Sequence, residues 1–177
     1  FDLCNDLSNL LNRTVSMVNK YFQGKVEGYT GCINDVDKEL EEFCITQINK
    51  FNELIDNFEI ANSLQEIWNL IARTNKYIDE TSPWILAKND ETEKLKSCIY
   101  HLIENLRKIA ILIKPFMNET AENILNQIGI KDENLKTWES LNYYDKIKDI
   151  KVIEKGEPIF MRLNQEEEIE YLKKNMN

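Results

Sequence analysis

The stretch Leu95-Lys-Ser-Cys-Ile99-Tyr-His-Leu102-Ile-Glu-Asn-Leu106-Arg-Lys-Ile109-Ala-Ile-Leu-Ile113 decides the fold class. Leu95, Ile99, Leu102, Leu106, Ile109 and Ile113 recur every three or four residues, the spacing that stacks side chains on one face of an α-helix. The segment therefore reads as a helix from about Glu91 to Lys114. Pro115 ends it, because proline lacks the N–H and clashes with the preceding turn. The longest unbroken apolar run, Ile109–Ile113, is five residues, against the roughly 18 that a membrane-spanning helix needs.

The same spacing extends outward in both directions. Towards the N-terminus, Leu3, Leu7, Leu10, Leu11, Val15, Val18 and Phe22 predict a first helix. Gly24, Gly28 and Gly31 mark a loop. A second helix is expected over Asn34–Glu59 with Val36, Leu40, Phe43, Ile48, Phe51 and Leu54 inward, and a third over Ala61–Glu80 with Leu64, Ile67, Trp68, Ile71 and Ile78 inward. Pro83 breaks the third. Towards the C-terminus, a short helix over Glu119–Ile128 closes at Gly129, Asn134–Tyr144 reads as helical, Ile150–Leu163 as extended, and the Glu-rich tail from Gln165 as a final helix. No repeat and no sustained alternation is present. The expected fold is all-α, a helical bundle of four to five helices over residues 1–149, with an irregular C-terminal extension over 150–177.

Composition sets the limits of function. The chain has 177 residues, 22 Lys and Arg against 31 Asp and Glu, and a net charge of −9; five glycines and three prolines leave little turn chemistry for an all-β fold. The second helix carries Asp35, Asp37, Glu39, Glu41, Glu42, Glu53, Asp56 and Glu59 against Lys38 and Lys50, a pattern that reads as a solvated face. Residues 1–22 and 60–88 are each balanced in charge. There is no glycine-rich phosphate loop, no G-x-S-x-G and no H-E-x-x-H, so no catalytic residue is assigned. Cys4, Cys32, Cys44 and Cys98 form no C-x-x-C pair and His101 is the single histidine, so no metal site and no cofactor are expected. His101 reads as a packed structural residue. The start at Phe1 suggests a piece of a longer protein, and without a secretory leader the expected compartment is the cytoplasm, with reduced thiols and no membrane contact.

Three segments carry more than periodicity. Asn5-Asp-Leu-Ser-Asn9-Leu-Leu-Asn-Arg13-Thr14 resembles the N-D-L-G-N-L-x-x-R segment of bacterial methionyl-tRNA synthetases. Asn75-Lys-Tyr-Ile-Asp-Glu-Thr-Ser-Pro83-Trp84-Ile-Leu-Ala-Lys88 resembles their N-x-Y-[IV]-D-E-x-A-P-W-x-L-A-K segment, and Gly156-Glu-Pro-Ile-Phe-Met-Arg-Leu163 the segment that follows their bundle. All three occur in the family's order, and Leu112-Ile-Lys-Pro-Phe-Met117 extends the likeness. Cys4, Ser8, Ser82 and Met161 depart from the family pattern, which has alanine, glycine, alanine and proline there.

The resemblance implies an anticodon-binding domain that follows a catalytic domain using ATP with Mg, whose H-x-G-H and K-M-S-K-S signatures are not in this chain. It implies that the bundle recognises the CAU anticodon loop of methionine tRNA, that Trp84 stacks the first anticodon base and Pro83 helps to present it, and that Asn9 and Arg13 hydrogen-bond the splayed bases. Asn5 lies one turn before Asn9. The implied partners are methionine tRNA and the parent's own catalytic domain, towards which 150–163 packs back; DNA is not among them, and the piece is expected to be monomeric and inactive in charging by itself. The residue chemistry agrees. Single-stranded loops are read by stacking on aromatics and by hydrogen bonds to base edges. Asn9 and Arg13, four apart, project from one helix face. A neutral face selects bases more than it attracts phosphate, so weak binding is expected. Two other readings stand beside this one: the anticodon-binding domain of another class I synthetase, and a helical protein-interaction module without an RNA role.

Overall fold

The computed structural model describes the backbone of residues 3–160 and 165–175 and the side chains of residues 5–160 and 169–175. Four long helices make the body: α1 (Leu3–Phe22), α2 (Asp35–Asp56), α3 (Ile60–Thr81) and α5 (Thr92–Ile113). Short α4 (Pro83–Lys88), α6 (Asn118–Gln127) and α7 (Gln165–Asn175) complete the helical part. Two-residue strands β1 (Lys25–Val26) and β2 (Ile150–Lys151) pair antiparallel. The all-α bundle expected from periodicity is therefore what forms.

Several helix ends have a local cause. The Asn34 side chain accepts from Asp37 N (2.8 Å) and caps α2. Phe58, with φ 59°, turns the chain from α2 directly into α3, and these two helices form the most extensive pair in the bundle. Leu7, Leu10, Leu11, Val15 and Val18 of α1 are fully buried, as are Ile67, Leu70, Ile71, Tyr77 and Ile78 of α3. After α6, Gly129 turns with φ +81°, and Ile130 N bonds back to Leu125 O at 2.9 Å. A Cβ at Gly129 would lie 2.1 Å from the Lys151 carbonyl oxygen. The glycine is thus required both by its backbone angle and by the close passage of β2.

The sequence and the structure part at three places. First, α5 is not amphipathic in its setting: residues 97–113 are all buried, Glu104, Arg107 and Lys108 among them. The helix runs through the middle of the bundle, packed by α1, α2, α3, α4 and α6. Second, residues 134–144 form two 3-10 turns, Glu133–Lys136 and Glu139–Asn142, in place of a helix. The cause is Arg107, which donates to Leu135 O (2.6 Å) and Ser140 O (3.1 Å) and so claims carbonyls that a continuous helix would use internally. Third, Asp37 is not on the solvated face of α2. It is fully buried and accepts from Tyr77 Oη (2.6 Å), Ser97 Oγ (2.7 Å) and Ile33 N (3.0 Å), tying α2 to α3 and α5. A carboxylate with three donors is a satisfied buried group.

Beyond β2 the chain is irregular to residue 160 but fastened to the bundle. Val152 N donates to Gly24 O (2.9 Å), Asn19 Nδ2 to Ile153 O (2.8 Å), and Gln127 exchanges two hydrogen bonds with the Glu157 backbone. The end of the third motif, Met161, Arg162 and Leu163, lies outside the described residues, as does the side chain of Cys4.

Candidate nucleic-acid interface

The candidate surface is built from one face of α1 and the junction between α3 and α4. On α1, Leu7, Leu10 and Leu11 take the buried side, which turns Asn5, Asn9 and Arg13 outward; Asn5 and Asn9 are exposed and the Arg13 side chain is 40% exposed. Asn75 Nδ2 of α3 donates to Asp6 O (3.2 Å), which holds the start of α1 against α3. One turn further along α3, Asp79 Oδ1 accepts from Arg13 Nη2 at 3.1 Å. Asp79 is five residues before Trp84, so this ion pair ties the Arg13 end of the α1 polar row to the segment that leads into the tryptophan's turn.

That turn has a specific geometry. Ser82 adopts the left-handed conformation (φ 44°, ψ 63°), closes α3 through Ser82 N to Ile78 O (3.0 Å), and opens α4 through its carbonyl, which accepts from Ile85 N (2.8 Å). A left-handed serine is uncommon; here its hydroxyl donates to Asp79 O at 2.9 Å and secures the turn. Pro83 then takes the first position of α4, where its missing N–H costs nothing. Pro83 is buried and anchors the turn, while Trp84 is 48% exposed and its neighbour Ile85 equally so. A half-exposed indole on a rigid corner offers a face for stacking without first opening the core. Trp68, by contrast, is packed against the core with its indole N–H buried and without a hydrogen-bond partner.

The electrostatics are neutral by pairing. Arg73 of α3, mostly buried, is shared between Glu80 (2.9 Å) and Glu39 (3.7 Å), and Lys76 pairs with Glu80 at 3.1 Å. Arg73 and Lys76 are thus committed to carboxylates of the same domain, while Lys88 of α4 is exposed. Asp79 is the functional neighbour that motif reading missed as a partner: it stands inside the quoted α3 segment, but nothing in the spacing says that it reaches Arg13 on another helix. Ser8, the departure from glycine, is half-buried with its hydroxyl unpartnered. Asn5, Asn9 and Arg13 thus share one face of α1, and the Arg13–Asp79 pair links the Arg13 end of that face to the α3 segment that leads into Pro83 and Trp84.

Residues 29–176 match the family model described as the anticodon binding domain of methionyl tRNA ligase. The chain belongs to this family. The methionine–tRNA ligase of Bacillus subtilis is 48% identical over 99% of the chain, and that of Lactococcus lactis 49% identical over 99%. The solved structure of Mycobacterium tuberculosis methionyl-tRNA synthetase in complex with methionyl-adenylate superposes with a TM-score of 0.80 over 91% of the chain at 27% identity. The chain spans about a quarter of the length of the two relatives, 26% of each, and 31% of the M. tuberculosis chain. The match to the ligase family model begins after α1, whereas the similarity to the Bacillus and Lactococcus enzymes includes the Asn5–Arg13 face. No helix among the described residues is long and apolar enough to cross a membrane.

Proposed function

We propose that this domain reads the CAU anticodon of methionine tRNA on the α1/α3–α4 surface, within a ligase whose catalytic domain attaches methionine using ATP with Mg. The observation that carries the reading is the Ser82 corner, which holds Trp84 half-exposed five residues after Asp79, the partner of Arg13. Trp84 stacks the first anticodon base, Pro83 fixes its backbone, Arg13 and Asn9 supply donors and an acceptor to base edges, and Asn5 extends the row by one turn. To engage a base fully, Arg13 exchanges its Asp79 contact, an exposed ion pair of small net worth. In the whole enzyme the described part of the extension, residues 150–160, faces the catalytic domain. Because Arg73 and Lys76 are already paired and few cations are left for phosphate, affinity rests on bases and is modest in the isolated domain.

The test is a low-salt titration with a CAU anticodon stem-loop, followed by tryptophan fluorescence, beside a GAU stem-loop and Trp84→Ala. The expected result is quenching by CAU, weaker for GAU, and an affinity about 5–150-fold lower in Trp84→Ala, since stacking one base contributes about 1–3 kcal/mol. Trp84→Ala should leave thermal stability nearly unchanged, as the indole is half-exposed. Equal binding of both stem-loops, or sub-micromolar binding of unrelated RNA, overturns the proposal. The same substitution in the full-length ligase should impair charging of methionine tRNA.

A further inference from the structure

The structure gathers Cys32, Glu41 and His101 into one cluster from three parts of the chain. Their ligand atoms (Cys32 Sγ, a Glu41 carboxylate oxygen and a His101 ring nitrogen) all lie within 4.8 Å of one another. Cys32 sits in the loop before α2, Glu41 on α2 and His101 in the middle of α5. We propose that this cluster is a zinc-type site that takes a divalent cation through Cys32 Sγ, a Glu41 carboxylate oxygen and His101 Nε2.

The orientation of the imidazole supports this directly. His101 Nδ1 is 2.7 Å from Ser97 O, an acceptor, so Nδ1 carries a proton and donates it there. Nε2 points the other way, at Glu41 Oε1, 2.9 Å distant. A histidine ligand held by an Nδ1–H bond to a backbone carbonyl, with Nε2 presented, is the arrangement that fixes a metal-binding tautomer. The carboxylate is held in turn, since the Tyr29 hydroxyl donates to Glu41 Oε1 at 2.7 Å and lies 3.7 Å from Cys32 Sγ. His101 is fully buried while Cys32 is exposed, so the ring is rigid and the thiolate side offers entry.

The fit to size and chemistry is close. Zinc bonds of about 2.0–2.3 Å in a tetrahedron put ligand atoms about 3.3–3.8 Å apart. The cluster reaches that by drawing the Cys32 loop inward by about 1–1.5 Å and by letting Glu41 Oε1 and His101 Nε2 part from 2.9 Å to about 3.3 Å. Gly31 beside it has nothing within 4 Å of a Cβ, so this part of the loop has open space for the movement. A thiolate, an imidazole and a carboxylate together favour zinc over the oxygen-seeking cations. Binding releases the Cys32 thiol proton and the proton shared by Nε2 and Glu41, and a water completes the fourth position. Tyr29 and Glu41 also line a shallow groove with Thr46, Asn142 and Tyr143. Sequence spacing alone could not signal this set, because its members lie 9 and 60 residues apart.

The experiment uses the purified chain, stripped of metal and reduced, titrated with Co²⁺ and then with Zn²⁺. The expected result is one equivalent of Co²⁺ with a sulfur-to-cobalt charge-transfer band in the near ultraviolet, bleached by Zn²⁺. Cys32→Ser loses the band. Glu41→Gln keeps it but binds more than about tenfold more weakly, and Tyr29→Phe, which removes the hydrogen bond to Glu41, weakens binding about tenfold. Cys32 is exposed and Glu41 half-buried, so these variants should remain folded, as the unchanged helical circular dichroism would show. A band that persists in Cys32→Ser, or no stoichiometric binding at millimolar metal, overturns the proposal.

Discussion

Replacing Arg107 by Met tests how this bundle holds its C-terminal part. Arg107 is fully buried in α5. Its guanidinium donates to both Glu104 oxygens (Nε to Oε2 at 2.9 Å, Nη2 to Oε1 at 2.5 Å), to Leu135 O, to Ser140 Oγ (2.7 Å) and to Ser140 O. Methionine keeps much of the length and none of the donors. The variant leaves a buried carboxyl with Lys108, 3.9 Å away, as its paired cation, and leaves Leu135 O and Ser140 O with only their longer bonds to Ser140 Oγ (3.3 Å) and Tyr143 N (3.4 Å). Burial already pushes the Glu104 carboxyl up, with Arg107 pulling it back, so without Arg107 the carboxyl is neutral or very costly. Removing one partner of a buried pair costs about 3–5 kcal/mol. For a chain of this size that lowers the thermal midpoint by roughly 10 °C and the urea midpoint by about 1–2 M. The assay is urea unfolding followed by circular dichroism, for Arg107→Met, Glu104→Met and the double variant. The double variant should be more stable than the sum of the single losses predicts, because it leaves no lone buried charge of the pair. A loss under about 1 kcal/mol for Arg107→Met, or strict additivity, would refute this reasoning.

Three other outcomes follow from particular contacts. Gly129→Ala should cost well over 1 kcal/mol, since it meets both an unfavourable φ and the Lys151 carbonyl, and amide exchange should show the loss concentrated at β1–β2. Asp37→Leu should cost about 2–4 kcal/mol in thermal or urea unfolding by stranding the Tyr77 and Ser97 hydroxyls, whereas Asp35→Leu, on the exposed side of α2, should be nearly neutral. In alkali, burial holds the Cys98 thiol up to about 12 and pushes the Tyr77, Tyr100 and Tyr144 hydroxyls above their ordinary 10. These groups keep their protons when folded and lose them when unfolded. Their stabilisation is therefore complete below about pH 9 and falls as pH rises through 9 for Cys98 and 10 for the tyrosines, by up to about 1.4 kcal/mol per pH unit for each group. Lys108, pushed down by burial, opposes this as one group against four. Stability that rises between pH 9 and 11 would contradict the burial of these groups.

The sequence by itself determined the helices, since each apolar stripe needs only local spacing: the Leu7–Val18 stripe of α1 and the Leu95–Ile113 stripe of α5 are buried as read. It also determined the family, because the Asn5–Arg13 and Asn75–Lys88 segments are contiguous and carry their pattern in order. Tertiary structure alone decided what long-range pairing controls. Whether a charged residue on an amphipathic helix is solvated depends on what packs over it: Glu104, Arg107 and Lys108 were absorbed because other helices surround α5, and Asp37 because Tyr77 and Ser97 reach it from α3 and α5. The 3-10 turns at 133–142 depend on a guanidinium about thirty residues away, at Arg107. The candidate surface followed the same rule. Spacing placed Asn9 and Arg13 on one helix face, but only the Arg13–Asp79 contact ties that face to the α3 segment that leads through the left-handed Ser82 turn to Trp84, because a pairing between residues 66 positions apart leaves no mark on either helix's own periodicity.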